Sequence, residues 1–192
     1  MNMRILFGAI LLALIATLGF IGFQWQKMQN APEAYGVPFS LTAASGETIT
    51  QESLKGHPSA IFFGFTNCPE ICPTTLYELN GWLEALGDEG KDVKAYFITV
   101  DPERDTPEIL GDYVASVSDR IVAISGDPDK VREMVSGFGV YYKRQELEGG
   151  DYTMDHTASI FLLDSNGSFR KTIAWGENSD VAIEKLRDLA KL

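Results

Sequence analysis

Ser59-Ala60-Ile61-Phe62-Phe63-Gly64-Phe65, followed at once by Thr66-Asn67-Cys68-Pro69-Glu70-Ile71-Cys72-Pro73, is the stretch on which the reading of this chain turns. The first seven residues make a short apolar, aromatic run of the kind found in a sheet strand covered on both faces. Beyond Cys72, Leu76, Leu79, Leu83 and Leu86 recur at helical spacing. The two cysteines of the chain therefore sit at a strand-to-helix junction. Four residues apart, they put both sulfurs on one side if the segment winds into a helical turn. A helix N-terminus also stabilises a thiolate, the form that ligates metals and attacks disulfides.

Three chemistries fit the pair at this point. A structural disulfide closing so small a loop gains little, because chain-constraint stabilisation falls with loop length. A redox pair of thioredoxin type is normally Cys-x-x-Cys; the extra residue here gives a wider bite that suits a metal without forbidding a disulfide. A metal site needs a further ligand, and the chain has two histidines. His57, in Lys55-Gly56-His57-Pro58, reads as an exposed loop residue. His156, in Met154-Asp155-His156-Thr157, stands at a loop edge before the apolar strand of residues 158–163, where side chains distant in sequence can converge. Two thiolates and one imidazole suit Cu(I), and the same types hold zinc with an open fourth position, so ligand chemistry alone leaves the metal open. Asp101 and Asp155 are candidates for orienting an imidazole or facing a positively charged metal site, with surface or loop-capping duty as the favoured reading of each. Met154 is a soft sulfur beside His156, read as packing, and Phe62, Phe63 and Phe65 are read as core.

On either side of the decisive stretch, strand and helix patterns alternate. Residues 39–43 and 48–50 around Ser45-Gly46 predict an opening β-hairpin. After the cysteines come a strand over 93–100, a helix to about 116, a strand over 121–125 and a helix from 128 to about 138. A strand near 140–142, strands over 158–163 and 169–173, and a helix from about 179 complete the order. The pattern predicts an α/β fold, a mixed central sheet with helices on both faces.

The amino-terminal end is of a different kind. Residues 5–23 carry no charge, and at about 1.5 Å per residue they span roughly 28 Å, near the ~30 Å of a hydrocarbon core. The run is long for a cleaved leader, and no A-x-A-like site follows before Pro32. The reading is a single uncleaved transmembrane anchor over residues 1–24, a tether over 25–36 with Pro32 and Gly36, and one globular domain over 37–192. The formal net charge of −11 and the lack of a Lys/Arg patch argue against nucleic acid as a partner.

Three separated motifs resemble the Sco/SenC family: Phe63 to Leu76 with its Cys-Pro-x-x-Cys-Pro core, Val100 to Pro107, and Val140-Tyr141-Tyr142 with Asp151-Tyr152 and Asp155-His156-Thr157. The resemblance runs from about Val37 to the C-terminus. It implies a thioredoxin-like domain on one N-terminal helix, with copper, as Cu(I) or also as Cu(II), held by Cys68, Cys72 and His156. It further implies a copper chaperone rather than an enzyme, helping to assemble the dinuclear copper centre of cytochrome c oxidase subunit II. The alternative is a thiol-disulfide reductase that keeps the acceptor's cysteines reduced through Cys68 and Cys72. The expected partners are the subunit II copper domain or another acceptor, an upstream copper donor, and the membrane. The expected location is the bacterial inner membrane, with the body in the periplasm, in preference to the mitochondrial inner membrane. Many relatives carry histidine where this chain has Asn67, a position that is not one of the family's ligands.

Overall fold

The structure is a computed structural model that describes residues 3–29 and 34–192, with side chains inside the first helix described for residues 10–25. The chain divides into two compact units, Met1–Glu33 and Ala34–Leu192. In the first, helix α1 spans Met3–Gln29, so helix continues past the expected start of the tether at residue 25, part of which lies outside the described residues. The large apolar side chains between Ile10 and Trp25 are exposed. Among the described residues, no helix is long and apolar enough to cross a membrane.

The second unit is built on a seven-stranded sheet. Its strands are β1 (Ser40–Ala43), β2 (Thr48–Thr50), β3 (Ser59–Gly64), β4 (Lys94–Thr99), β5 (Ile121–Ser125), β8 (Ser159–Leu163) and β9 (Phe169–Ala174), in the order β2-β1-β5-β4-β3-β8-β9. β3, β4 and β5 run parallel. Parallel neighbours need a crossover, and α2 (Ile71–Leu86) and α3 (Pro107–Ala115) supply the two crossovers. β8 pairs antiparallel with β3, β9 with β8, and β1 with β5, which makes the sheet mixed. α4 (Pro128–Gly137) and α5 (Ser179–Leu189) complete the body.

Local chemistry sets the helix starts. Thr106 accepts from the Ile109 N–H with Pro107 in the first turn, Asp127 caps α4 ahead of Pro128, and Asn178 caps α5; each satisfies backbone donors that a helix N-terminus leaves unpaired. α2 differs, having no side-chain cap at its N-cap residue Glu70. All six residues of β3 are buried. Phe62 and Phe97 stack on one face of the sheet, Phe63 meets Phe138 on the other, and these four rings and Phe65 are at most 1% exposed.

One element falls outside the sequence-based reading. β6 (Tyr142–Glu146) and β7 (Tyr152–His156) form a second, two-stranded antiparallel sheet of their own. The sequence predicts a single strand near 140–142 and leaves His156 on a loop edge; it is instead the last residue of a strand. His57 also departs from expectation. It is half-buried, with Nε2 3.1 Å from the Ser53 carbonyl and Nδ1 3.2 Å from Ser59 Oγ, and it pins the turn that enters β3.

At the end of β3, Gly64 lets the strand approach the first turn of α2. A Cβ placed there would lie 2.7 Å from the Phe97 ring and 2.8 Å from Cys72 Sγ. Gly64→Ala should therefore destabilise the fold by about 1–3 kcal/mol through overpacking, read as a lower urea midpoint. An unchanged midpoint would contradict the close approach.

Candidate metal centre

The loop after β3 turns sharply into α2, and a buried carboxylate holds the turn. Asp105, with no exposed surface, accepts from the Thr66 N–H at 3.1 Å, from Thr66 Oγ1 at 2.5 Å and from Thr99 Oγ1 at 2.7 Å. Its carbonyl accepts from Ser125 Oγ. Burial pushes the Asp105 carboxyl above its ordinary range, and these hydrogen bonds oppose the shift. The segment entering the cysteines is thus tied to β4, β5 and the loop before α3.

Cys68 is half-exposed just before α2, and Cys72 is fully buried in its first turn. Both are free thiols. The Cys72 N–H donates to Cys68 Sγ at 3.3 Å, so a sulfur takes up a backbone donor at the uncapped end of α2. Hydrogen bonding from Cys72 outweighs partial burial and brings the Cys68 thiol down to about 4. The same contact and its own burial push Cys72 up. The pair is best described as sharing one proton, with Cys68 the thiolate and Cys72 the thiol. Sequence position alone treats the two sulfurs as equivalent; burial makes them unequal.

His156 arrives from the end of β7. Its Nδ1 lies 3.0 Å from the Thr157 carbonyl, an oxygen that can only accept, so that nitrogen carries a proton, and in the neutral tautomer this fixes, Nε2 is the nitrogen with the lone pair. Nε2 lies 3.4 Å from Cys72 Sγ. The ring stands edge-on to Phe65 and Phe62, with centroids 5.7 Å and 6.1 Å away. These phenylalanines belong to the core, as expected, and also wall the imidazole. The two sulfurs and the ring nitrogen all lie within 4.8 Å of one another. Bonds of roughly 2.3 Å to sulfur and 2.0 Å to nitrogen put ligand atoms of one ion roughly 4 Å apart, so a small contraction suffices to close the set. A cleft of about 370 Å³ opens beside it, lined by Phe65, Cys68, Ile71, Tyr141, Met154 and His156.

The remaining candidates fall elsewhere. Asp101 does not touch the imidazole; its carboxylate holds Arg104 at 2.5 Å and the Tyr152 hydroxyl at 2.8 Å. Asp155 is exposed and accepts from Gln145, because strand alternation turns it away from the face that carries His156. Met154 packs against the core and lines the cleft, and Asn67 is exposed. Sequence reasoning missed Asp105 and Arg104, although both stand in a charged loop bounded by Pro102 and Pro107; the one signal available was Arg104 three residues after Asp101, with which it pairs.

A mixed α/β body with helical crossovers, two unequal thiols at a strand-to-helix turn and an imidazole over them define a thioredoxin-like protein with a soft metal-binding group. The SCO1/SenC family model matches residues 27–191, and the chain belongs to that family. An SCO2-like protein of Rickettsia prowazekii is 38% identical over 138 residues, covering 71% of this chain and 67% of that protein. Mitochondrial SCO2 of Saccharomyces cerevisiae is 33% identical over 171 residues, covering 85% of this chain and 57% of that longer protein. Among solved structures, copper-bound ScoI of Bradyrhizobium japonicum is 42% identical, with a TM-score of 0.75 over 81% of this chain and 99% of that one. BsSco, described as a member of the Sco family of cytochrome c oxidase assembly proteins with a disulfide switch, is 27% identical, with a TM-score of 0.65 over 84% and 96%. Solved relatives thus hold copper, and the Cys68, Cys72 and His156 group is able to hold a metal.

The inequality of the sulfurs is directly measurable. In reduced, metal-free protein, one thiol should react with iodoacetamide at a rate that stays level down to about pH 5 and falls as the pH drops through about 4, where Cys68 takes up its proton. The second should stay silent until the chain unfolds. A single midpoint near the ~8.5 of an ordinary thiol would contradict the assignment.

Proposed function

We propose that the protein is a membrane-tethered copper chaperone, in which Cys68, Cys72 and neutral His156 hold Cu(I) and pass it to acceptor thiolates. The observation that carries this reading is the convergence of three soft ligand atoms within 4.8 Å, two from one turn and one from 84 residues downstream. A three-ligand site beside an open cleft leaves room for an incoming sulfur, so transfer proceeds by ligand exchange without unfolding. The acceptor is the dinuclear copper site of cytochrome c oxidase subunit II, and an upstream donor loads the chaperone. Support for this role comes from the family and from the naming of a solved relative as an oxidase assembly protein. In this reading residues 1–24 are the anchor and residues 37–192 the copper-binding domain, with the body on the periplasmic side of a bacterial inner membrane. The exposed apolar side chains of α1 support such an anchor.

The unequal pair supports a second reading, a thiol-disulfide reductase. The Cys68 thiolate attacks a partner disulfide, forming a mixed disulfide and releasing one partner thiolate. Cys72 then gives up its proton and attacks Cys68 sulfur, releasing the second partner thiolate and leaving a Cys68–Cys72 disulfide. Two electrons pass to the partner.

His156 separates the readings. His156→Ala should weaken Cu(I) retention by at least roughly a hundredfold, since loss even of an outer contact to a metal ligand costs 10–100-fold, while the rate of thiol-disulfide exchange changes little. Full copper affinity in that variant would refute the three-ligand site. With Cys68 already a thiolate, loading Cu(I) at pH 7 should release about one proton, from Cys72, measurable by calorimetry in buffers of different ionisation enthalpy. Release of two would contradict the shared-proton description.

A further inference from the structure

Side chains alternate along a strand, so β7 carries Tyr152, Met154 and His156 on one face. That face meets the body at three points. His156 sits over Cys72, Met154 packs against the core, and four residues before the imidazole the Tyr152 hydroxyl donates to Asp101 Oδ1 at 2.8 Å. Asp101 is 3% exposed, and its other oxygen accepts from Arg104 Nε at 2.5 Å. Arg104 Nη1 turns back to donate to the Tyr152 carbonyl at 2.9 Å, and its guanidinium lies 3.7 Å from the centroid of the Tyr152 ring. Arg144 of β6 lies 3.5 Å from the same ring. Tyr152 is therefore gripped at its hydroxyl, its ring and its backbone.

This grip matters because the hairpin has its own two-stranded ladder, separate from the seven-stranded sheet. At its His156 end β7 continues through Thr157 and Ala158 into β8; along the rest of its length side chains rather than strand pairing hold it to the body. The grip and the imidazole are joined by roughly 13 Å of extended strand, stiffened by pairing with β6 from Glu146↔Tyr152 to Tyr142↔His156. Movement at Tyr152 therefore carries His156 with it.

We propose that Asp101, Arg104 and Tyr152 form a latch that positions the His156 imidazole over the two sulfurs, so that the strength of the nitrogen ligand is set by residues that never touch the metal. The proposal rests on the three-ligand reading and adds positioning residues to it. Opening the latch lifts the nitrogen donor and leaves a two-sulfur site.

The test uses the full chain with Tyr152→Phe, which removes one hydroxyl and keeps the ring, alone and combined with His156→Ala. Two quantities are measured: amide hydrogen exchange of β6 and β7 in the metal-free protein, and Cu(I) retention against a chelator. Hairpin exchange should accelerate, with the seven-stranded sheet unaffected. Copper retention should fall about tenfold when His156 is present and not at all in the His156→Ala background. An equal fall in both backgrounds would show a general structural effect and overturn the proposal. Unchanged hairpin exchange overturns the latch whatever copper does. Loss of copper in His156→Ala with none in Tyr152→Phe overturns the proposal alone, whereas no loss in either overturns the three-ligand reading as well.

Discussion

The site depends on the contact between Cys72 Sγ and His156 Nε2 across 84 residues of sequence. Neither partner is placed by its chain neighbours alone; the Thr157 carbonyl orients the His156 ring, but the approach of the two segments is set elsewhere. Cys72 is buried because the first turn of α2 is pulled against the end of β3, where Gly64 leaves no Cβ in the way and Asp105 fixes the intervening turn. His156 is placed from the other side, at the end of a strand that runs into β8 and is otherwise held to the body through side chains. Sulfur and nitrogen meet where two independently supported segments close on the edge of the aromatic core.

That arrangement makes the two cysteines chemically different while keeping them close. The exposed sulfur faces the cleft and receives a backbone donor at the start of a helix, both of which favour the anion. The buried sulfur is in apolar surroundings next to that anion, and both conditions favour the thiol. An accessible anion and a protonated reserve suit ligand exchange with an incoming thiolate, and they equally suit attack followed by resolution in disulfide chemistry. The same asymmetry thus underlies both functional readings, and the imidazole is what biases the site towards a metal.

Much of the fold was legible in the sequence because its strongest signals are local. The apolar run of β3, the leucine spacing of α2 and the alternation of strand and helix patterns after it mark element ends within a few residues. β6 and β7 were not legible: Lys143, Arg144, Gln145 and Glu146 are polar and mostly exposed, so the strand lacks the apolar alternation that identifies half-buried strands. Cys68, Cys72 and His156 were found by residue type and family resemblance, and the structure brings the three together. The sequence offers Asp101 as a partner of the imidazole or for surface or loop-capping duty, and it is neither: it is buried and serves Arg104 and Tyr152, while the ring's proton is taken by the adjacent Thr157 carbonyl. Asp105 gave no periodic signal, since its importance arises only when the turn folds over it.

X-ray absorption at the copper edge of the Cu(I)-loaded, full-length protein tests the central claim most directly. The account predicts a three-coordinate ion with two sulfur scatterers and one nitrogen scatterer bearing the multiple-scattering pattern of an imidazole, the latter lost in His156→Ala. A linear two-sulfur spectrum in the unaltered protein, identical to that of the His156→Ala variant, would contradict it.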